Sequence, residues 1–61
     1  MLVKNLPFEV RNIITSRIYW YYRKKGLSDI EASKKHNECL LYSIKQVSII
    51  IPIPKEAIQY L

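Results

Sequence analysis

A single cysteine, Cys39, limits how this short chain can be held together. A chain of 61 residues forms at most one domain, and it buries only ~60% of the surface that its unfolded form exposes. One cysteine cannot form an internal disulfide, and Cys39 and His36 are too few ligands for a four-coordinate structural zinc. We therefore predict no metal and no cofactor. We expect stability to come in part from a larger protein partner or a homo-oligomer.

The overall composition is that of a folded chain without a membrane anchor. Hydrophobic residues make up 49% of the sequence, which is too many for a disordered tail. Pro52 and Pro54 end the isoleucine run 49–51, so no apolar run approaches the ~20 residues that span a bilayer. Lys4 and Glu9 interrupt any signal-peptide pattern. We expect a soluble intracellular protein that lies in the cytoplasm or nucleus. The cell could be one infected by a virus, and a position within a virion is also open.

Two helices are predicted to form a hairpin. The first covers about residues 7–25, because Pro7 suits a first turn and Gly26 suits the position after a helix end. Its apolar side chains recur at helical spacing: Val10, Ile13, Ile14, Ile18 and Tyr21. The second covers about residues 29–47 and begins at a capping box formed by Ser28 and Glu31.

The last part of the chain is predicted to be irregular before it becomes helical again. Residues 48–53 are rich in isoleucine and contain Pro52, which cannot continue a helix or donate to a strand ladder. This segment fits either an edge strand or a loop, and an extended arm could add a strand to a neighbour's sheet. A short helix over about 54–61 follows. The fold class is therefore all-α, in a single small domain of residues 1–61.

Catalytic residues are not evident in the sequence. Cys39 follows His36 by three residues, so on a helix the two side chains project ~60° apart and do not form a ready nucleophile pair. Gly26 is the only glycine, so there is no glycine-rich phosphate loop. We predict that the protein is not an enzyme and has no small-molecule substrate.

Four consecutive aromatic residues, Tyr19 to Tyr22, are the most conspicuous feature of the first helix. They point in four directions and cannot all be buried in a two-helix core. Arg17 falls among the apolar residues of the same helix, where a buried unpaired charge is costly. Such residues are typical anchors of protein interfaces. The predicted partner-binding residues are Leu6, Pro7, Val10, Ile14, Arg17, Trp20, Tyr22, Ile49, Ile50 and Ile51.

Nucleic-acid binding is the alternative that the charge suggests. Ten Lys and Arg against five acids give a net charge of +5. Cations beside aromatic rings can neutralise phosphates while the rings stack on bases. The predicted residues for this alternative are Arg23, Lys24, Lys25, Lys34, Lys35 and Tyr19.

Residues 5–45 also resemble an F-box. The opening Leu6-Pro7-Phe8-Glu9-Val10 is similar to the start of that family's motif, and apolar residues follow on one helix. The stretch from Ala32 to Leu40 is similar to the second signature, in which Ser or Cys precedes basic, aromatic and apolar residues. The resemblance implies a helical motif that docks onto an adaptor subunit of cullin-type ubiquitin ligases. It places Leu6, Pro7, Val10 and Ile14 in the contact.

The function predicted from the sequence is therefore a non-enzymatic protein–protein interaction module. It would be an F-box-like adaptor or a small component of a larger assembly, such as a virus particle. A small basic nucleic-acid-binding protein is the alternative.

Overall fold

The computed structural model describes all residues, 1–61, and contains helices but no strand. Its α-helices are α1 (Phe8–Lys24), α2 (Asp29–Glu38) and α3 (Ile44–Ile50). Short 3-10 helices lie at Val3–Asn5, Cys39–Leu41 and Lys55–Tyr60. Helices α1 and α2 make the most extensive contact in the molecule, which confirms the predicted all-α class and its hairpin. None of the helices combines the length and apolar character that crossing a membrane requires.

The ends of α1 follow the local signals in the sequence. Pro7 precedes the first helical residue, with its φ of −52° already suited to a helix start. Glu9 lies in the first turn, and Arg23 and Lys24 lie in the last, as the helix dipole favours. Gly26 then adopts a φ of 102°, a conformation that side chains with a Cβ rarely take. The chain turns there and enters α2.

The prediction of a single helix over residues 29–47 is wrong in one respect, because the structure has two separate α-helices there. Tyr42 and Ser43 are extended, and α3 begins after them. A second capping box starts α3: the Gln46 N–H donates to Ser43 Oγ at 3.2 Å, and the Ser43 N–H donates to Gln46 Oε1 at 2.7 Å. The Tyr42 carbonyl accepts from the Val3 N–H at 2.8 Å. The N-terminal segment thus donates a hydrogen bond to a carbonyl group at the break between the two helices.

The prediction of an extended segment over 48–53 is correspondingly wrong in its first half. Residues 48–50 belong to α3, and the chain becomes extended only at Ile51, with φ −135° and ψ 156°. Ile51 is buried, so the isoleucines do not form a free arm or an edge strand. The short C-terminal helix predicted over 54–61 is present as the 3-10 helix Lys55–Tyr60.

One hydrophobic core joins α1, the 3-10 turn after α2, α3 and both ends of the chain. Its nine buried residues are Val3, Leu6, Ile14, Ile18, Cys39, Ile44, Val47, Ile51 and Ala57. On α1, every residue of the predicted stripe is buried or half-buried, and the buried face extends past that stripe on one side to Thr15 and Tyr22. Arg17 is exposed and lies outside the core.

Candidate protein-interaction groove

The surface contains one groove, which lies between the C-terminal half of α1 and the extended residues after α3. Its volume is about 310 Å³, and it is open to solvent. The lining residues are Ser16, Arg17, Trp20, Tyr21, Lys24, Ile51 and Pro52. Five of them come from α1 at spacings of three and four residues, so they form one stripe of that helix. Pro52, next to the buried Ile51, provides the opposite wall.

Trp20 is the dominant side chain of the groove. It remains 60% exposed, although it is the largest apolar side chain of the sequence. The Tyr19 ring meets it edge-on, with ring centroids 5.1 Å apart. The next two aromatic residues, Tyr21 and Tyr22, form a second edge-on pair at 5.1 Å and pack against the core. The four aromatic residues are thus divided between core and surface, and Trp20 faces outward.

Two cations line the groove, and no acidic side chain does. Arg17 and Lys24 are exposed and take part in no ion pair. By contrast, Arg23 lies 3.8 Å from Asp29, and Arg23 also donates to Tyr19 Oη at 3.2 Å. The Tyr19 hydroxyl in turn donates to Asp29. The groove is therefore electropositive through Arg17 and Lys24 alone.

Several of the other cations of the nucleic-acid alternative already have partners within the chain. Lys35 Nζ lies 3.9 Å from Glu38 and 5.5 Å from the centre of the Tyr22 ring. Lys25 Nζ lies 4.9 Å from the centre of the Tyr21 ring, and a hydrogen bond with the Tyr21 side chain raises the pKa of Lys25. Only Lys24 and Lys34 of the five predicted cations have neither an acid nor an aromatic ring as a partner.

The predicted partner-binding residues separate into three groups. Arg17, Trp20 and Ile51 line the groove. Leu6 and Ile14 are 4% and 0% exposed and belong to the core, so their role as contact residues stays a prediction. Ile51 is also largely buried and offers only an edge. Away from the groove, Val10, Tyr22 and Ile50 are half-buried, whereas Pro7 and Ile49 are exposed.

The cysteine and the histidine do not form a reactive pair. Cys39 is buried, its Sγ donates to the His36 carbonyl oxygen at 3.0 Å, and burial raises the pKa of its thiol to about 11. The His36 ring instead has Nδ1 3.2 Å from Asn37 Oδ1. Cys39 is therefore a neutral thiol that fills the core. No group of three His, Cys, Asp or Glu residues is positioned to hold a metal ion.

Sequence reasoning missed three lining residues of the groove, Ser16, Tyr21 and Pro52. The helical spacing predicts that Tyr21 faces the core, whereas in the structure it also lines the groove. The sequence identifies Pro52 only as a helix breaker, and no local pattern indicates that it returns to α1. The α1 stripe itself was visible, because Arg17, Trp20, Tyr21 and Lys24 follow the i, i+3, i+4, i+7 pattern.

No protein-family model, curated protein or solved structure matches this chain. The F-box resemblance therefore stays a prediction.

Proposed function

We propose that this chain is a non-enzymatic protein–protein interaction module that binds a partner protein through the groove beside α1. The observation that supports this most is the position of Trp20, a large aromatic side chain left exposed at the edge of the one concave surface. Tryptophan, tyrosine and arginine are the residues that most often dominate binding energy at interfaces. All three types line this groove, as Trp20, Tyr21 and Arg17.

Other exposed apolar side chains do not support a competing site as well. Phe8 is flanked by the Arg11 guanidinium, 5.2 Å from its ring centre. Ile30, Leu41 and Ile49 are exposed but do not line a groove. Single apolar side chains of this kind are normal on protein surfaces. Trp20 differs because a side chain of a partner could enter the space next to it.

The distribution of charge favours a protein partner over a nucleic acid. Non-specific nucleic-acid binding depends on several cations that contact successive phosphates. Here Arg23 and Lys35 already lie close to Asp29 and Glu38. The two free cations of the groove flank an apolar stripe.

Two kinds of partner are compatible with this proposal. By the F-box resemblance, the partner would be the adaptor subunit of a cullin-type ubiquitin ligase. In that case Pro7 and Val10 would be the accessible part of the motif, since Leu6 and Ile14 are buried. Otherwise the chain would be a small component of a larger assembly. The adaptor version predicts that the captured proteins include a cullin and its adaptor.

Affinity capture with matched variants tests the proposal. The tagged chain, Trp20→Ala and Ile30→Ala are expressed in the source cells, and the bound proteins are compared with and without nuclease. Ile30 is the control, because it is 70% exposed but lies on α2, away from the groove. We expect nuclease-resistant capture that Ile30→Ala keeps and Trp20→Ala weakens by ~30-fold, the loss typical of a binding hot spot. Capture that nuclease abolishes and Trp20→Ala leaves unchanged would refute the proposal.

A further inference from the structure

We infer that the groove binds an acidic amphipathic helix, with apolar side chains on Trp20 and one carboxylate at each end of the contact. This inference rests on the proposed function and specifies the chemistry of the partner. It is carried by the order of side chains along α1, in which a cation lies on either side of an apolar centre.

The spacing of the two cations determines the spacing of the acids. Arg17 and Lys24 are seven residues apart on α1, which is two turns, or ~10.5 Å at 1.5 Å per residue. A second helix lying alongside α1 has the same rise. Acids at positions i and i+7 of that helix can therefore face Arg17 and Lys24 together.

The apolar contact falls midway between the two cations. Trp20 and Tyr21 are three and four residues after Arg17, and on the partner helix apolar residues at i+3 and i+4 share a face with the two acids. The pattern reads the same in both directions, so parallel and antiparallel docking give the same pairs. Helix-in-groove binding uses anchors at this kind of spacing.

The charges of the chain select an acidic occupant. Arg17 and Lys24 have no internal ion pair, and the nearby Asp29 is already engaged by Tyr19 and Arg23. The whole chain carries a net charge of +5, which attracts an acidic segment and repels a basic one. The Arg17 guanidinium can also bind a carboxylate through two parallel hydrogen bonds.

A second copy of this chain is a poor occupant of the groove. Helix α2 has two acids at the required spacing, Glu31 and Glu38. However, Lys34 and Lys35 occupy the two central positions between them, where the groove needs apolar side chains. Docking α2 of another copy would place those lysines on Trp20 and bring two chains of charge +5 together.

The experiment measures binding of synthetic helical peptides to the intact folded chain. The probe is an alanine-rich, fluorescein-labelled peptide with Glu at i and i+7 and Leu at i+3 and i+4. Its control has Lys in place of both Glu residues. We expect the acidic peptide to bind at least about tenfold more tightly than the basic one, because electrostatic complementarity discriminates between partners of opposite charge. Trp20→Ala should weaken the binding of the acidic peptide.

Charge-reversal variants distinguish binding at the groove from general attraction by the net charge of the chain. Arg17→Glu with Lys24→Glu should reverse the preference, so that the basic peptide binds better. Lys34→Glu with Lys45→Glu changes the net charge by the same amount on exposed positions outside the groove, and should leave the preference unchanged. Circular dichroism checks that both double variants keep the helical content of the parent chain.

Three results would overturn the inference. The first is equal binding of the acidic and basic peptides. The second is Trp20-dependent binding of a thymidine oligonucleotide that outcompetes the acidic peptide. The third is a concentration-dependent dimer in sedimentation that closes the groove. If any of these occurs while Trp20-dependent, nuclease-resistant capture persists, the proposed function stands and only the acidic-helix chemistry fails.

Discussion

Replacing Ser43 with alanine distinguishes the observed break between α2 and α3 from a continuous helix. In the structure Ser43 is the N-cap of α3, and its hydroxyl accepts from the Gln46 N–H at 3.2 Å. Losing a serine cap costs ~1 kcal/mol of stability. In a continuous helix Ser43 would be an interior residue, and alanine would instead stabilise it by ~0.5 kcal/mol. The sign of the change therefore decides between the two arrangements.

Urea unfolding followed by circular dichroism at 222 nm measures this sign. A core of this size supplies ~3–5 kcal/mol, and a small domain loses ~1 kcal/mol per molar urea. The Ser43→Ala variant should therefore unfold at a urea concentration lower by ~1 M. Ser28→Ala removes the equivalent cap of α2 and should have a similar effect, since Glu31 N–H donates to Ser28 Oγ at 3.2 Å.

Ser16→Ala is the matched control, because Ser16 is exposed in the interior of α1 and caps nothing. It should raise the free energy of unfolding by a few tenths of a kcal/mol, roughly 0.3–0.5. If Ser43→Ala raised the midpoint as Ser16→Ala does, the break at Tyr42 and Ser43 would be wrong. Ser43 would then not cap a separate third helix.

Four further predictions concern the turn, the core and, twice, the thiol. Gly26→Ala should lower the free energy of unfolding by ~1–2 kcal/mol through its φ of 102° alone, since a Cβ at this position would meet no atom within 4 Å; an unchanged urea midpoint would contradict this. Ile18→Ala should cost ~2–5 kcal/mol and leave the chain largely unfolded by circular dichroism. Cys39 should react with iodoacetamide at pH 8 at least ~100-fold more slowly when folded than in urea, because burial raises its pKa to about 11. The raised pKa also means that stability declines as pH rises from about 9 toward 11, and Cys39→Ala should flatten that decline.

The parts of the fold that could be predicted from sequence depend on local signals. Gly26 and the capping box of Ser28 and Glu31 lie next to each other, and together they end α1 and begin α2. Both act within a few residues, so no knowledge of distant contacts is needed. The hairpin follows from them, and so do the all-α class and the short helix after Pro54.

The break before α3 could not be predicted from the sequence, because two local signals conflict there. Ser43 and Gln46 form the same kind of capping signal as Ser28 and Glu31, yet Leu40, Ile44 and Val47 continue a helical stripe across it. What supports the break is a distant contact, the hydrogen bond from the Val3 N–H to the Tyr42 carbonyl. Tertiary contacts of this kind override local propensity.

The same limitation affected the face of α2. Ser33, His36 and Leu40 recur at helical spacing in the sequence but are polar at the start, whereas Ala32 in α2 and Cys39 just after it are fully buried. Small side chains such as alanine and cysteine mark a buried helix face less clearly than large apolar side chains do.

The direction in which α1 buries its side chains connects the fold to the proposed site. An apolar face centred on Arg17 would have buried a charge at high cost. Packing through Ile14, Ile18 and Tyr22 avoids this cost and leaves Arg17 in solvent. The same packing leaves Trp20 at the surface, where Ile51 and Pro52 complete a groove. Arg17 and Trp20 are thus both left at the surface, on the side of α1 that Ile51 and Pro52 approach.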